Sequence, residues 1–348
     1  MLVVPYTLYK YLMRLGMTAL LLRFFNFIFF VKPIICSTFA TKNFNDLIMR
    51  TKVFESKDTN VKKFVFEWRE EDGEVKGIAE SVLYRYGEYK KRTVICCSVM
   101  SGCPVGCTFC GTGKFFVRNL TTDEICEQID EVLKTIDCKT DEIEKFQIMF
   151  MSMGEPMLNT QWVINAILRL NSKYPNAQLL VSTSAPEPMI SGLSDFIRLS
   201  MSIDKVGLQF SVHESTDEAR AKLIPTNTCT LRQMSLMGEL WASFVGRKPF
   251  FNYCVHEGNC SVDDAKRLAK TFNPDVWECT LSVICEKDET VANSIERQLD
   301  IINGFRKLME DEGFHLRVFN PAGQDDIGGG CGQLWYFQKW LGDQKKNQ

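Results

Sequence analysis

Cys96, Cys97, Cys103, Cys107 and Cys110 crowd into one short stretch of a 348-residue chain that has 14 cysteines in all. Within it, Cys103-Pro-Val-Gly-Cys107-Thr-Phe-Cys110 spaces three thiols three and then two residues apart. Thiolates are soft ligands for iron and zinc. A structural zinc closes a tetrahedron with four ligands, and a ferredoxin cluster takes four cysteines. Three thiolates on one loop instead wrap three corners of a cubane and leave its fourth iron without a protein ligand. Such an iron can take a small chelating molecule through an amino and a carboxylate group. A disulfide scaffold is excluded, since those are short chains whose bridges replace a missing core. The cysteines therefore point to metal or redox chemistry in a reducing compartment.

The elements that position this loop read as alternating strands and helices. VKKFVFEW and Gly77–Tyr86 form two strands around the turn signal EEDGE, and Thr93–Val99 runs into the cysteine loop. Further strands are predicted at 146–151, 178–182, 206–212, 250–255, 278–284 and 315–319. Helices are predicted at 122–136, 161–170, 231–242, 262–270 and 290–312, the first opened by the capping signature Thr121-Thr122-Asp123-Glu124. That alternation predicts βαβ units and a parallel sheet: an α/β fold with a partial (β/α)6 barrel and a small β extension before it. The expected organisation is an apolar extension over 1–48, a β-rich segment over 49–92, the barrel over 93–320 and a tail over 321–348.

Charge and hydropathy qualify the class. The chain holds 41 basic and 43 acidic residues, a net charge of −2, which disfavours a charge-driven nucleic-acid binder. Residues 1–50 carry six basic side chains against Asp46 alone, so the rest stands at −7, with 35 basic and 42 acidic. The apolar run from Met17 to Cys36 is interrupted by Arg23, Asn26, Lys32 and Pro33, short of an uninterrupted membrane span. It reads as a dispensable extension or mis-assigned start, with targeting and a packed helix as alternatives. The expected location is the cytoplasm, without a stable membrane partner.

The cysteine motif, with an aromatic before its last cysteine, resembles radical S-adenosylmethionine enzymes. From roughly Lys62 to Leu334 the chain resembles the RlmN and Cfr adenine methyltransferases. The resemblance runs through Phe116-Val-Arg118-Asn119-Leu120, Met153-Gly154-Glu155-Pro156 and Ser182-Thr183-Ser184. It continues through Phe210-Ser211-Val212-His213, Lys222-Leu-Ile-Pro225-Thr-Asn227 and Asp326-Ile327-Gly-Gly-Gly-Cys331-Gly332-Gln333-Leu334. It implies a [4Fe–4S] cluster on Cys103, Cys107 and Cys110, and S-adenosylmethionine held by Gly154, Glu155, Ser182, Ser211, Val212 and His213. The Glu155 carboxylate would accept from the amino group of that cofactor. His256 and His315 read as structural or surface residues.

In the family mechanism, Cys331 takes a methyl group from one S-adenosylmethionine. Reductive cleavage of a second gives a 5′-deoxyadenosyl radical that takes a hydrogen from that methyl, and the methylene radical adds to an adenine carbon too electrophilic for polar transfer. Cys96, in the family position of the resolving thiol, breaks the protein–RNA link by forming a disulfide with Cys331. Strand alternation turns Cys97 to the other face. Glu80 aligns with the family's proton acceptor, although a solvent-facing strand carboxylate is its plain alternative. The implied activity is methylation of adenosine, at carbon 2, in 23S ribosomal or transfer RNA. The implied partners are RNA and a flavodoxin-type reductase, and the expected state is a monomer. Two other readings stand beside it: the same chemistry on adenine carbon 8 or a small nucleotide, and a non-catalytic iron–sulfur regulatory homologue. The family's N-terminal accessory domain has no counterpart in residues 1–60, and Cys285 stands where the family has a ribose-binding asparagine. The basic candidates for RNA are Arg85, Lys90, Lys91, Arg92, Lys114, Arg118, Arg247 and Lys248.

Overall fold

A computed structural model describes residues 47–187, 189–283 and 291–319, together with Ile327, Gly328 and Leu334. The apolar run 17–36, Cys285 and Cys331 lie outside the described residues. Three antiparallel strands come first: β1 (Ile48–Glu55), β2 (Val61–Arg69) and β3 (Val75–Arg85). β4 (Arg92–Cys97) pairs antiparallel with β3 and then opens a parallel series. A small hairpin of β5 (Met100–Gly102) and β6 (Phe116–Asn119) brackets the cysteine loop.

The parallel series alternates with helices. After α1 (Thr122–Leu133) come β7 (Lys145–Phe150), α2 (Thr160–Lys173), β8 (Gln178–Thr183), α3 (Met189–Ser202) and β9 (Val206–Ser211). Then follow α4 (Asp217–Leu223), α5 (Leu231–Val245), β10 (Phe250–Val255), α6 (Val262–Thr271), β11 (Glu278–Val283), α7 (Val291–Asp311) and β12 (His315–Phe319). The sheet order β1-β2-β3-β4-β7-β8-β9-β10-β11-β12 joins extension and barrel strands in one ten-stranded sheet. The boundary expected near residue 92 falls between two of its paired strands. From β4 to β12 each strand pairs parallel to the next, with helices in every crossover. The expected (β/α)6 arrangement follows.

Side-chain alternation gives the sheet two unlike faces. Phe146, Ile148, Phe150, Leu179, Val181, Leu208 and Phe210 pack under the helices in the main core. The opposite face carries Val82, Tyr84, Val94 and Cys96, a smaller cluster that Ile327 and Leu334 join. Farther along it turns polar, with Ser182, Ser211 and Ser282. The sheet curls enough for Tyr84 of β3 to meet Phe319 of β12 edge to face, ring centroids 6.4 Å apart. The inner face is thus a concave wall, as a partial barrel requires.

Local signals explain most element ends. Thr121 caps α1 through the amide of Glu124, whose carboxylate returns to the Thr121 amide, so the capping box forms as expected. Thr230 with Gln233 and Ser261 with Asp264 repeat the device on α5 and α6. Among the described residues, no helix is long and apolar enough to cross a membrane.

Candidate active site

The cysteine loop leaves the C-terminal end of β4, where barrel folds collect their chemistry. Its neck is closed by the Cys103 amide, which donates to the Phe115 carbonyl at 2.8 Å. Gly102, at φ +81°, is required there: a Cβ would stand 2.2 Å from that carbonyl oxygen. The loop is also tied to the last residue of α4 and to the segment after it. The Thr108 amide donates to Leu223 at 2.9 Å, and the Thr226 hydroxyl donates to the Val105 carbonyl at 2.6 Å. Those ties give the Lys222–Asn227 motif a physical role.

All three loop cysteines are half-buried. Burial pushes Cys103 up to about 12, while the amides of Val105 and Gly154 point at its sulfur and favour the thiolate. The Arg220 guanidinium interacts electrostatically with Cys107. Among the described residues, only the exposed Glu70, Asp72 and Glu74 gather as closely as ligands of one ion would. Cysteines that hold different irons of a cubane have no need to converge that tightly. Three thiols on one rigid loop, with amides and a cation behind them, fit the expected cluster.

The strand ends facing this loop bring together Glu155, Ser182, Ser211 and His213. Glu155 is buried, and its carboxylate accepts four protein donors: the Thr183 hydroxyl at 2.6 Å, the Ser184 amide at 2.7 Å, the Ser184 hydroxyl at 2.8 Å and the Met157 amide at 2.9 Å. Two donors sit on each oxygen. That fills a carboxylate's usual capacity. Its geometry locks the β7 and β8 loops together. Burial still pushes its carboxyl up, against the pull of those donors. Gly154, at φ +102°, lets the chain pass Met100, whose Cβ would lie 2.6 Å from an added methyl.

The hydroxyls of Ser182 and Ser211 lie 3.5 Å apart across β8 and β9 on the inner face. The two-residue alternation that turns Ser211 inward sends the Val212 side chain into the main core, and its amide is spent on the Asn252 carbonyl at 3.0 Å. His213 takes φ +62° and is buried. Its Nδ1 accepts the Cys254 amide at 3.3 Å, so the neutral ring carries its proton on Nε2. Burial, with the nearby Arg220 charge, lowers its pKa to about 3. His256 bonds Glu214 at 2.8 Å, and His315 is exposed.

Arg220 escaped the sequence reading. Its guanidinium donates to the carbonyls of Ser184 at 2.7 Å, Ser211 at 2.8 Å and Val212 at 3.2 Å, and to the Thr228 hydroxyl at 2.5 Å. One buried cation thus stitches the ends of β8 and β9 beneath the cysteine loop. Its only sequence signal is its place two residues before Lys222.

Glu80 and Cys96 meet on the inner face. Glu80 is fully buried, so the solvent-facing reading is excluded. Ser98 ties it to β4, donating to the Glu80 carbonyl at 2.6 Å. Cys96 lies opposite Val82 on β3 and Met149 on β7, its sulfur 3.9 Å from that of Met149. Burial pushes its thiol up to about 12. Cys97 packs in the main core, on the opposite face as expected. Lys63, also missed, pairs with Glu80 at 3.4 Å. Most basic RNA candidates are engaged within the fold: Arg118 with Glu124 at 2.8 Å, Arg92 over Tyr86 at 4.1 Å, Arg247 with the Val206 carbonyl at 3.1 Å.

No family model matches the chain. It is 30% identical over 277 residues to the probable dual-specificity RNA methyltransferase RlmN of Thermotoga neapolitana, covering 77% of this chain and 74% of that one. It is also 30% identical over 288 residues to the dual-specificity RNA methyltransferase RlmN of Geotalea uraniireducens, covering 80% and 76%. The chain belongs to the RlmN family. A solved radical SAM methyltransferase from Sphaerobacter thermophilus superposes with a TM-score of 0.64 at 25% identity, over 84% of this chain and 82% of that one. RlmN membership implies two cofactors, a [4Fe–4S] cluster and S-adenosylmethionine.

Proposed function

We propose that the protein is a radical S-adenosylmethionine RNA methyltransferase that methylates adenosine at carbon 2, in 23S ribosomal RNA, transfer RNA or both. The observation that carries this is the sharing of one concave face. Glu80 and Cys96 stand on neighbouring strands there, and Ile327 and Leu334, which flank Cys331 in sequence, pack into the same cluster as Cys96. The cysteine loop leaves the end of the strand that carries Cys96.

Cys103, Cys107 and Cys110 hold the cluster. When bound, cluster and S-adenosylmethionine supply the one-electron chemistry that breaks an unactivated methyl C–H bond. Ser182, Ser211 and the Nε2–H of His213 donate to the cofactor, while Glu155 and Arg220 hold the loops that frame it. Cys331 carries the methyl group to be transferred. Glu80 accepts the proton released at the adenine carbon, and Cys96 frees the product by pairing with Cys331. A flavodoxin-type donor supplies the electron, and the protein works as a monomer in the cytoplasm.

Reconstituted protein should carry a methyl group on Cys331 and form methylated adenosine in RNA digests read by mass spectrometry. A Cys331→Ala protein that still methylates RNA overturns the mechanism. One observation favours a second reading, the same chemistry on a small nucleotide: Arg92, Arg118 and Arg247 are engaged within the fold. Incubation with ribosomal RNA, transfer RNA and free nucleotides separates the two.

A further inference from the structure

Lys63 and Glu80 form an ion pair whose side chains are both 0% exposed, with Nζ 3.4 Å from Oε2. A buried ammonium is costly unless its donors are met. Here a second one is met from far along the chain: Nζ donates to the Gly328 carbonyl at 3.2 Å. Gly328 lies three residues before Cys331 in sequence. The strand register puts this contact in line with the chemistry. Lys63 stands opposite Val82, Val82 opposite Cys96 and Cys96 opposite Met149, one row across β2, β3, β4 and β7. Ile327, beside Gly328, packs in the cluster that includes Val82, Cys96 and Met149.

We propose that Lys63 is a positioning residue: its ammonium ties the base of the Cys331 segment, through Gly328, to the carboxylate of Glu80. One side chain therefore sets the methyl-carrying segment, the proton acceptor and the resolving thiol in mutual register. This rests on the roles given above to Cys331, Cys96 and Glu80. Lysine suits the task because its compact head offers three donors in different directions.

The test compares the cluster-loaded parent with Lys63→Met and with Lys63→Met/Glu80→Gln, which leaves no buried charge unpaired. Under anaerobic conditions with oxidised glutathione, formation of the Cys96–Cys331 disulfide is followed by peptide mass spectrometry. Both variants should form it at least fivefold more slowly than the parent. In turnover, Lys63→Met should lower kcat at least tenfold with KM for RNA unchanged, whereas a generally loosened fold moves both. A parent that forms the disulfide and a double variant that forms it equally fast overturn the proposal alone. A parent that never forms it overturns the cysteine pair on which the proposal rests, and the proposal with it. A Glu80→Gln protein with full RNA methylation, but parent-like disulfide formation, removes Glu80 as the base and leaves the anchoring role of Lys63 supported.

Discussion

The ring of Phe109, between the second and third loop cysteines, meets the ring of His213 edge to face with centroids 5.5 Å apart. The cysteine loop therefore rests directly on the end of β9. Phe109 belongs to the motif by position, and His213 reaches it because the chain turns into the left-handed region after the strand. Edge-to-face pairs of this kind add about 0.5–1.5 kcal/mol beyond burial.

The same histidine makes stability depend on pH. Its pKa is lowered to about 3 when folded, while an unfolded histidine titrates near 6.5. The unfolded chain thus binds the proton first. The contribution is whole above about pH 6.5 and is lost as pH falls toward 3. Between pH 7 and pH 5 the loss should be about 2 kcal/mol. Urea unfolding of the parent and of His213→Gln at both pH values checks this, and the variant should lack that component.

Arg220→Met should be among the most damaging single changes outside the cysteines. It leaves the carbonyls of Ser184, Ser211 and Val212 without the donor that satisfies them. Each buried polar group so stranded costs about 1–3 kcal/mol. Denaturant unfolding should show a loss of about 3 kcal/mol or more, and equilibrium dialysis should show S-adenosylmethionine binding at least about tenfold weaker.

Gly154→Ala tests the close passage beside Met100. A methyl there would stand 2.6 Å from the Met100 Cβ, on a backbone at φ +102°. Strain of this kind costs of order 1–3 kcal/mol. Thermal unfolding should fall accordingly. The Cys103 environment should change too, because the Gly154 amide points at that sulfur.

Cys96→Ala should separate methyl addition from product release. With Cys331 intact and its resolving partner gone, the RNA should stay covalently attached. Denaturing gels should then show a slow, nuclease-sensitive band. A variant that releases methylated RNA at the parent rate would remove Cys96 from the mechanism.

Much of the fold was legible. The parallel strands follow from short apolar runs alternating with helical patterns, and their ends fall within a few residues of expectation. β1, α3 and α4 were not foreseen. β1 is an edge strand, exposed along most of its length, so it carries little of the alternation that marks a half-buried strand. α4 is seven residues long, too short for helical periodicity to register.

Within the site, the loop cysteines, the opposed faces of Cys96 and Cys97, and the motif glycine were readable because they depend on spacing along the chain. The four donors on Glu155, the cradle around Arg220 and the Lys63–Glu80 pair were not. Each depends on which strand lies beside which, and in what register.

The cysteine count therefore has a divided meaning. By itself the sequence determined that three thiols share one loop and that one further thiol precedes them on a strand, since both are local patterns. Only the tertiary structure decided that Lys63 holds Gly328, 265 residues away, on the face that carries Cys96. Local periodicity tells a side chain which face to take. It carries no record of the distant segment that the curling of the sheet brings against that face.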